Sequence, residues 1–276
     1  MNTVVGIDLR TTGHTWLVER AAAWTRMAGG VVDLVFFHPD GGTSEQQDRL
    51  EALLAELPEA QRGTARVLAA APAAGLVELT EDADLLVVGS REPAALERWL
   101  HGPMATRVLR HAHCPVLVPR RPEPPRDTPK LLVGVDVNNP PVDRAIVELA
   151  SRWAVMVGGT LDALYAVNRA LPPIANHAVR ERAEKEWEAR NDSERRRLQL
   201  LLDEVVPEGH RGQAQIGRGE AEDAIIHASS DADLVLVGNR DREGLAQLVL
   251  GTVAQRVVRQ AHCDVLSLPT AGVDLP

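Results

Sequence analysis

Gly251-Thr252 opens the stretch "GTVAQRVVRQAHC", whose apolar residues recur at helical spacing. The first turn of a helix offers unpaired N–H groups and the positive end of its dipole, so a hydroxyl beside a bare glycine there suits an oxyanion such as phosphate. Upstream, Gly238 ends the apolar run "ADLVLVG", where a glycine lets the backbone approach a ligand closely. Asp136 ends another such run, "KLLVGVD", and its carboxylate can accept hydrogen bonds from a ribose or from nearby backbone. Together these groups suit a nucleotide better than a neutral metabolite. Each also has a plainer use: Gly238 and Gly251 can shape turns, Thr252 can cap its helix, and Asp136 can cap the segment that follows it.

The same segment occurs twice. Residues 88–114 read "VGSREPAALERWLHGPMATRVLRHAHC" and residues 237–263 read "VGNRDREGLAQLVLGTVAQRVVRQAHC", with 12 of 27 positions identical at an offset of 149. The copies differ at the chemistry, since the first has Gly102-Pro103 where the second has Gly251-Thr252. Proline has neither N–H nor hydroxyl, which removes two donors that would face a phosphate. Earlier anchors match at an offset of 129: Trp24 with Trp153, Gly29-Gly30 with Gly158-Gly159, and Asp33 with Asp162. The offset therefore grows by about twenty residues, which fall in the charged stretch at 171–204; its Arg and Glu spacing reads as a lengthened solvated helix.

To position these residues the chain must alternate strands and helices. The runs "TVVGID", "VVDLVFF", "ARVLAA", "ADLLVVG" and "PVLVP" are strand-like, the segments between them are helical, and the second half repeats the order. Parallel strands need helix-length crossovers, so the expected fold is α/β, two tandem doubly wound five-stranded parallel sheets of order 3-2-1-4-5 related by pseudo-twofold symmetry. The domains are expected at 1–120 and 130–276, joined by a stiff proline-rich linker at 121–129. In such sheets ligands sit at the carboxyl ends of the strands where the winding reverses, between strands one and four. The short apolar final strands, "CPVLVPR" and "CDVLSLP", are expected to pair with each other, because uncovered edges invite aggregation.

Composition narrows the function. A net charge of -9 offers no basic surface for nucleic acid, and no run reaches the roughly 18 apolar residues of a membrane span. Two cysteines in 276 residues fit a reducing, cytoplasmic setting. His113-Cys114 and His262-Cys263 invite a zinc reading, but adjacent residues on a strand face opposite ways, so no metal site is assigned. Trp16, Trp24, Trp99, Trp153 and Trp187 are assigned to packing. No nucleophile stands with a base and an orienting group, and no catalytic residue is named.

The runs "VGVD", "GRGEAEDAIIHASSDADLVLVGNR" and "LGTVAQRVVRQAHCDVLSLP", with "VVGID", "ADLLVVGS" and "RVLRHAHCPVLVPR" in the first half, resemble the universal stress protein family as a tandem pair. The nucleotide-binding members are similar in carrying Gly, two residues, Gly, nine residues, then Gly-Ser or Gly-Thr. The second copy keeps Gly238 and Gly251-Thr252 but has Asp241 at the second glycine; the first keeps only Gly89 and Gly102, with Glu92 between. The resemblance implies a stress-associated regulatory protein, with ATP in the second copy held by Asp136, Val137, Val167, Val237, Gly238, Gly251, Thr252 and Val253. Val167 would contact adenine, and Mg²⁺ could bridge at Asp241. The first copy is expected to be empty of ATP. Two alternatives stay open: an interaction or adaptor protein that binds no nucleotide, and a slow ATP hydrolase. The expected partners are an adenine nucleotide and a protein, with an internal pseudo-dimer and room for a homodimer.

Overall fold

The structure is a computed structural model that describes residues 1–9, 14–89, 103–121, 123–136, 140–167, 177–238 and 251–269. Its contacts divide the chain into two compact units, residues 1–127 with 237–276, and residues 128–236. Both are α/β.

In the first unit the elements alternate as β1 (Asn2–Gly6), α1 (Thr15–Met27), β2 (Val31–Phe37), α2 (Ser44–Ala55), β3 (Arg62–Leu68), α3 (Pro72–Leu79), β4 (Leu85–Val87), α4 (Pro103–His111) and β5 (Val116–Val118). Strand pairing runs β3-β2-β1-β4-β5, all parallel, which is the expected order 3-2-1-4-5. Near-continuous burial of the β2 run "VVDLVFF" is what a parallel strand covered on both faces requires. Helix α2 starts at a capping box, with Thr43 Oγ1 accepting from the Gln46 N–H and Gln46 Oε1 accepting from the Thr43 N–H. Helix α1 ends at Gly29, whose φ of 66° is the left-handed turn that a glycine makes at low cost.

The sixth strand of this unit comes from the end of the chain. After α8 (Thr252–Gln260), strand β10 (Asp264–Leu268) pairs antiparallel with β5, Leu266 opposite Leu117. These are the two final strands that were expected to pair.

The second unit holds β6 (Lys130–Val135), α5 (Pro140–Met156), β7 (Thr160–Val167), α6 (His177–Val205), β8 (Arg211–Arg218), α7 (Ala221–Ala228) and the start of β9 (Leu234–Gly238). Its strands run β8-β7-β6-β9, again parallel and again 3-2-1-4. Helix α6 has 29 residues against the 12 of α2, so the extra sequence of the second copy is a longer helix, laced by pairs such as Arg195–Asp192 at 3.0 Å.

One paired feature explains an anchor of the repeat. Both β2–β3 and β7–β8 skip a residue in register, at Val32/Leu34 and Leu161/Ala163. Asp33 Oδ1 accepts the Thr64 N–H at 2.6 Å and the Thr64 hydroxyl at 2.9 Å; Asp162 Oδ1 accepts the Gln213 N–H at 2.8 Å. The matched aspartates supply the acceptors that the interrupted ladder omits.

Candidate functional site

Asp136 directly follows β6, and its N–H donates to Asp143 Oδ1 at 3.1 Å. Asp143 lies in the first turn of α5 with 3% of its surface exposed. A charge taken this far from water needs donors, and the Asp136 amide is one of them. In the first copy the equivalent partner is different: His14 Nε2 lies 2.8 Å from the Asp8 carbonyl oxygen, so the ring nitrogen donates there. His14 and Asp143 share the offset of 129 that relates Trp24 to Trp153. Sequence reasoning missed this pair, although the offset was available to find it.

Val167 ends β7 and is buried; its carbonyl accepts from the Gly219 N–H at 3.2 Å, where Gly219 turns at a φ of 93°. Strands β6 and β7 run side by side with Val135 opposite Tyr165, so the structure brings Asp136 and Val167 to the carboxyl ends of neighbouring parallel strands. Strand β9 pairs with β6 from Leu131 opposite Leu234 to Val133 opposite Leu236, and ends with buried Val237 and half-buried Gly238.

Gly251 takes the N-cap position of α8, extended at φ -57° and ψ 151°; Thr252 is exposed and Val253 half-buried. A glycine N-cap has no side chain with which to satisfy the first turn. Among the described residues no acceptor is assigned to the N–H groups of Thr252, Val253 or Ala254. In the first copy α4 begins at Pro103 itself, so one of these donors does not exist there. Val137, Glu92, Gly102 and Asp241 lie outside the described residues.

A cavity of about 470 Å³ opens between α5 and α6, walled in part by Val135, Pro141, Asp143 and Leu198. Its Arg144 is already paired at 3.0 Å with both Glu148 and Glu204, so it offers no uncommitted cation to an anion. Cys114 and Cys263 are buried thiols that form no disulfide, each with Sγ 3.5 Å from the carbonyl oxygen of the next residue. Among the described residues no group of three or more His, Cys, Asp or Glu side chains could hold a metal, and no helix is long and apolar enough to cross a membrane.

Comparison with known proteins gives the family and the fold. The sequence profile described as Universal stress protein family matches residues 1–120 and again 128–269. The chain belongs to the universal stress protein family. It is similar to universal stress protein Rv2623 of Mycobacterium tuberculosis, 27% identical over 214 residues, covering 72% of this chain and 66% of that protein. Universal stress protein Rv2005c of the same organism is 28% identical over 203 residues, covering 71% of this chain and 65% of that one. The matches thus span just under two thirds of the length of these relatives. Among solved structures, the functionally unknown protein PA1789 of Pseudomonas aeruginosa superposes with a TM-score of 0.71 at 21% identity, over 97% of this chain and 92% of the other. A universal stress protein from Archaeoglobus fulgidus superposes at 0.66 with 16% identity, over 98% of each chain. Both likenesses concern the fold.

Proposed function

We propose that this universal stress protein is a non-catalytic regulatory protein whose second copy, residues 130–276, binds ATP. The residues assigned to the nucleotide are Asp136, Val137, Val167, Val237, Gly238, Gly251, Thr252 and Val253. The observation that carries the reading is the start of α8: a glycine N-cap, an exposed Thr252 hydroxyl, and first-turn N–H groups with no assigned acceptor among the described residues. That donor set fits a phosphate. Val167, at the end of a buried strand, supplies an apolar surface suited to adenine. Regulation rather than turnover is the reading that the sequence favours, since it sets no nucleophile with a base and an orienting group.

The test is Thr252→Pro. Proline is well tolerated at the first position of a helix, and α4 already begins with one, so the variant should keep its fold. It deletes one hydroxyl and one N–H, each worth about 1.5–3 kcal/mol toward a charged partner. Calorimetry should show ATP weakened at least tenfold while adenosine, which has no phosphates, binds as before. Equal losses for both ligands would show that the α8 start does not hold phosphate. For the first copy, Pro103 favours the interaction-protein reading instead.

A further inference from the structure

Strands β5 and β10 are the same strand of the repeat, yet they meet the first unit with different chemistry. Asp264, at the start of β10, is fully buried and accepts three hydrogen bonds from the first half: Arg20 Nε at 2.5 Å, Trp24 Nε1 at 2.7 Å and the Arg120 N–H at 2.8 Å. Arg20 is itself 3% exposed, its guanidinium also donates to the Glu123 carbonyl, and it lies 5.7 Å from the Trp24 ring centroid. The Arg120 guanidinium donates to the carbonyls of Ala261 and Val258, both at 3.1 Å. The repeat offers no second version of this cluster. At an offset of 149 the partner of Asp264 is Pro115, and at an offset of 129 the partner of Arg20 is Leu149.

We propose that the Asp264 cluster is a specificity latch: it makes the β5 edge accept β10 of its own chain and reject β5 of a second copy. The ladder alone does not discriminate. Leu117 stands opposite Leu266, its own equivalent in the repeat, and Val116 stands opposite the buried Ser267, so β5 against a second β5 would place Leu117 opposite Leu117 and exchange that serine for its apolar equivalent Val118. The group that a second β5 fails to supply is at the strand start. A second β5 brings Pro115, which has no side-chain acceptor, and would leave the Arg20 guanidinium and the Trp24 indole N–H buried without their carboxylate. A buried cation deprived of its partner is strongly disfavoured, whereas replacing both members of such a pair by apolar groups is often tolerated. Rejection of the wrong partner therefore rests on an unmet charge.

The experiment uses the full chain carrying Leu117→Cys, a mild oxidant and a non-reducing gel. With the latch intact the introduced thiol faces Leu266, and the chain should run as a monomer at all concentrations. Adding Arg20→Leu with Asp264→Pro gives both positions the residues their repeat equivalents carry. This variant should stay folded by circular dichroism and form a covalent dimer that rises at least tenfold in fraction and grows with concentration. If it does not fold, Arg20→Met with Asp264→Asn, which keeps an acceptor for Trp24 and Arg120 while removing both charges, is read in the same way. A folded latch-free chain that stays monomeric, or an equal dimer band with the latch intact, would overturn the proposal.

Discussion

At the residue scale, the two cysteines show how position decides chemistry. Each is buried with its sulfur beside the carbonyl oxygen of the next residue, a setting unlike the electropositive, partly exposed one that reactive cysteines need. Burial is the main cause that pushes the Cys114 thiol from 9.0 up to about 12. Because the folded state holds this proton more tightly than the unfolded chain, the associated stability is complete below pH 9 and is lost as pH rises from 9 toward 12. At pH 10.5 the loss should be about 2 kcal/mol, at roughly 1.4 kcal/mol per pH unit. Urea unfolding of the wild type and of Cys114→Ala at pH 8 and pH 10.5 checks this. The alkaline loss should be smaller in the variant by that amount, and equal losses would assign it to other groups. The sequence showed a cysteine before each final strand but not its burial, which is set by packing around α4 and β5.

At the element scale, the repeat made Asp33 and Asp162 visible as a matched pair, but their purpose lies in the ladder. A skipped register leaves N–H groups without a strand partner, and a periodicity reading has no signal for it. The glycines Gly63 and Gly212, on the strands facing these aspartates, complete the device. A Cβ at Gly212 would overlap Asp162 Oδ1 and lie 2.6 Å from the Leu161 carbonyl oxygen, while Gly209, in the short turn before β8, has open space. Gly212→Ala should therefore destabilise by about 1–3 kcal/mol, the usual cost of overpacking a closed site. Gly209→Ala should cost little. Denaturant midpoints of the two variants decide it; equal effects would mean that Asp162 turns aside freely and the bulge is not fixed by its carboxylate. The start of α8 was more legible, because Gly251-Thr252 is a local signal and helix starts are local events.

At the scale of the whole molecule, duplication gave away the strand order, since each copy repeats one alternation of strands and crossovers. It hid the asymmetry that matters most: Asp264 where the first copy has Pro115, and Asp143 where it has His14, are single substitutions whose meaning depends on contacts remote in the chain. On the proposed function, asymmetry would also govern nucleotide stoichiometry. Pro103 and Glu92 remove donors and add charge in the first copy, whereas Gly251-Thr252 persists in the second, so titration of the intact chain with ATP should saturate at one nucleotide. Two equivalent sites would contradict the contrast between Pro103 and Thr252. On the proposed function, Asp241, which stands where nucleotide-binding members carry glycine, would set how tight that one site is. A carboxylate about 5 Å from a phosphate opposes it by about 3 kcal/mol at an effective dielectric near 20, less whatever Arg240 and Arg242 neutralise. Asp241→Gly should therefore tighten ATP by up to that amount and leave adenosine unchanged. If it instead weakens ATP only when Mg²⁺ is present, the carboxylate holds a bridging metal and its sign at the site is reversed.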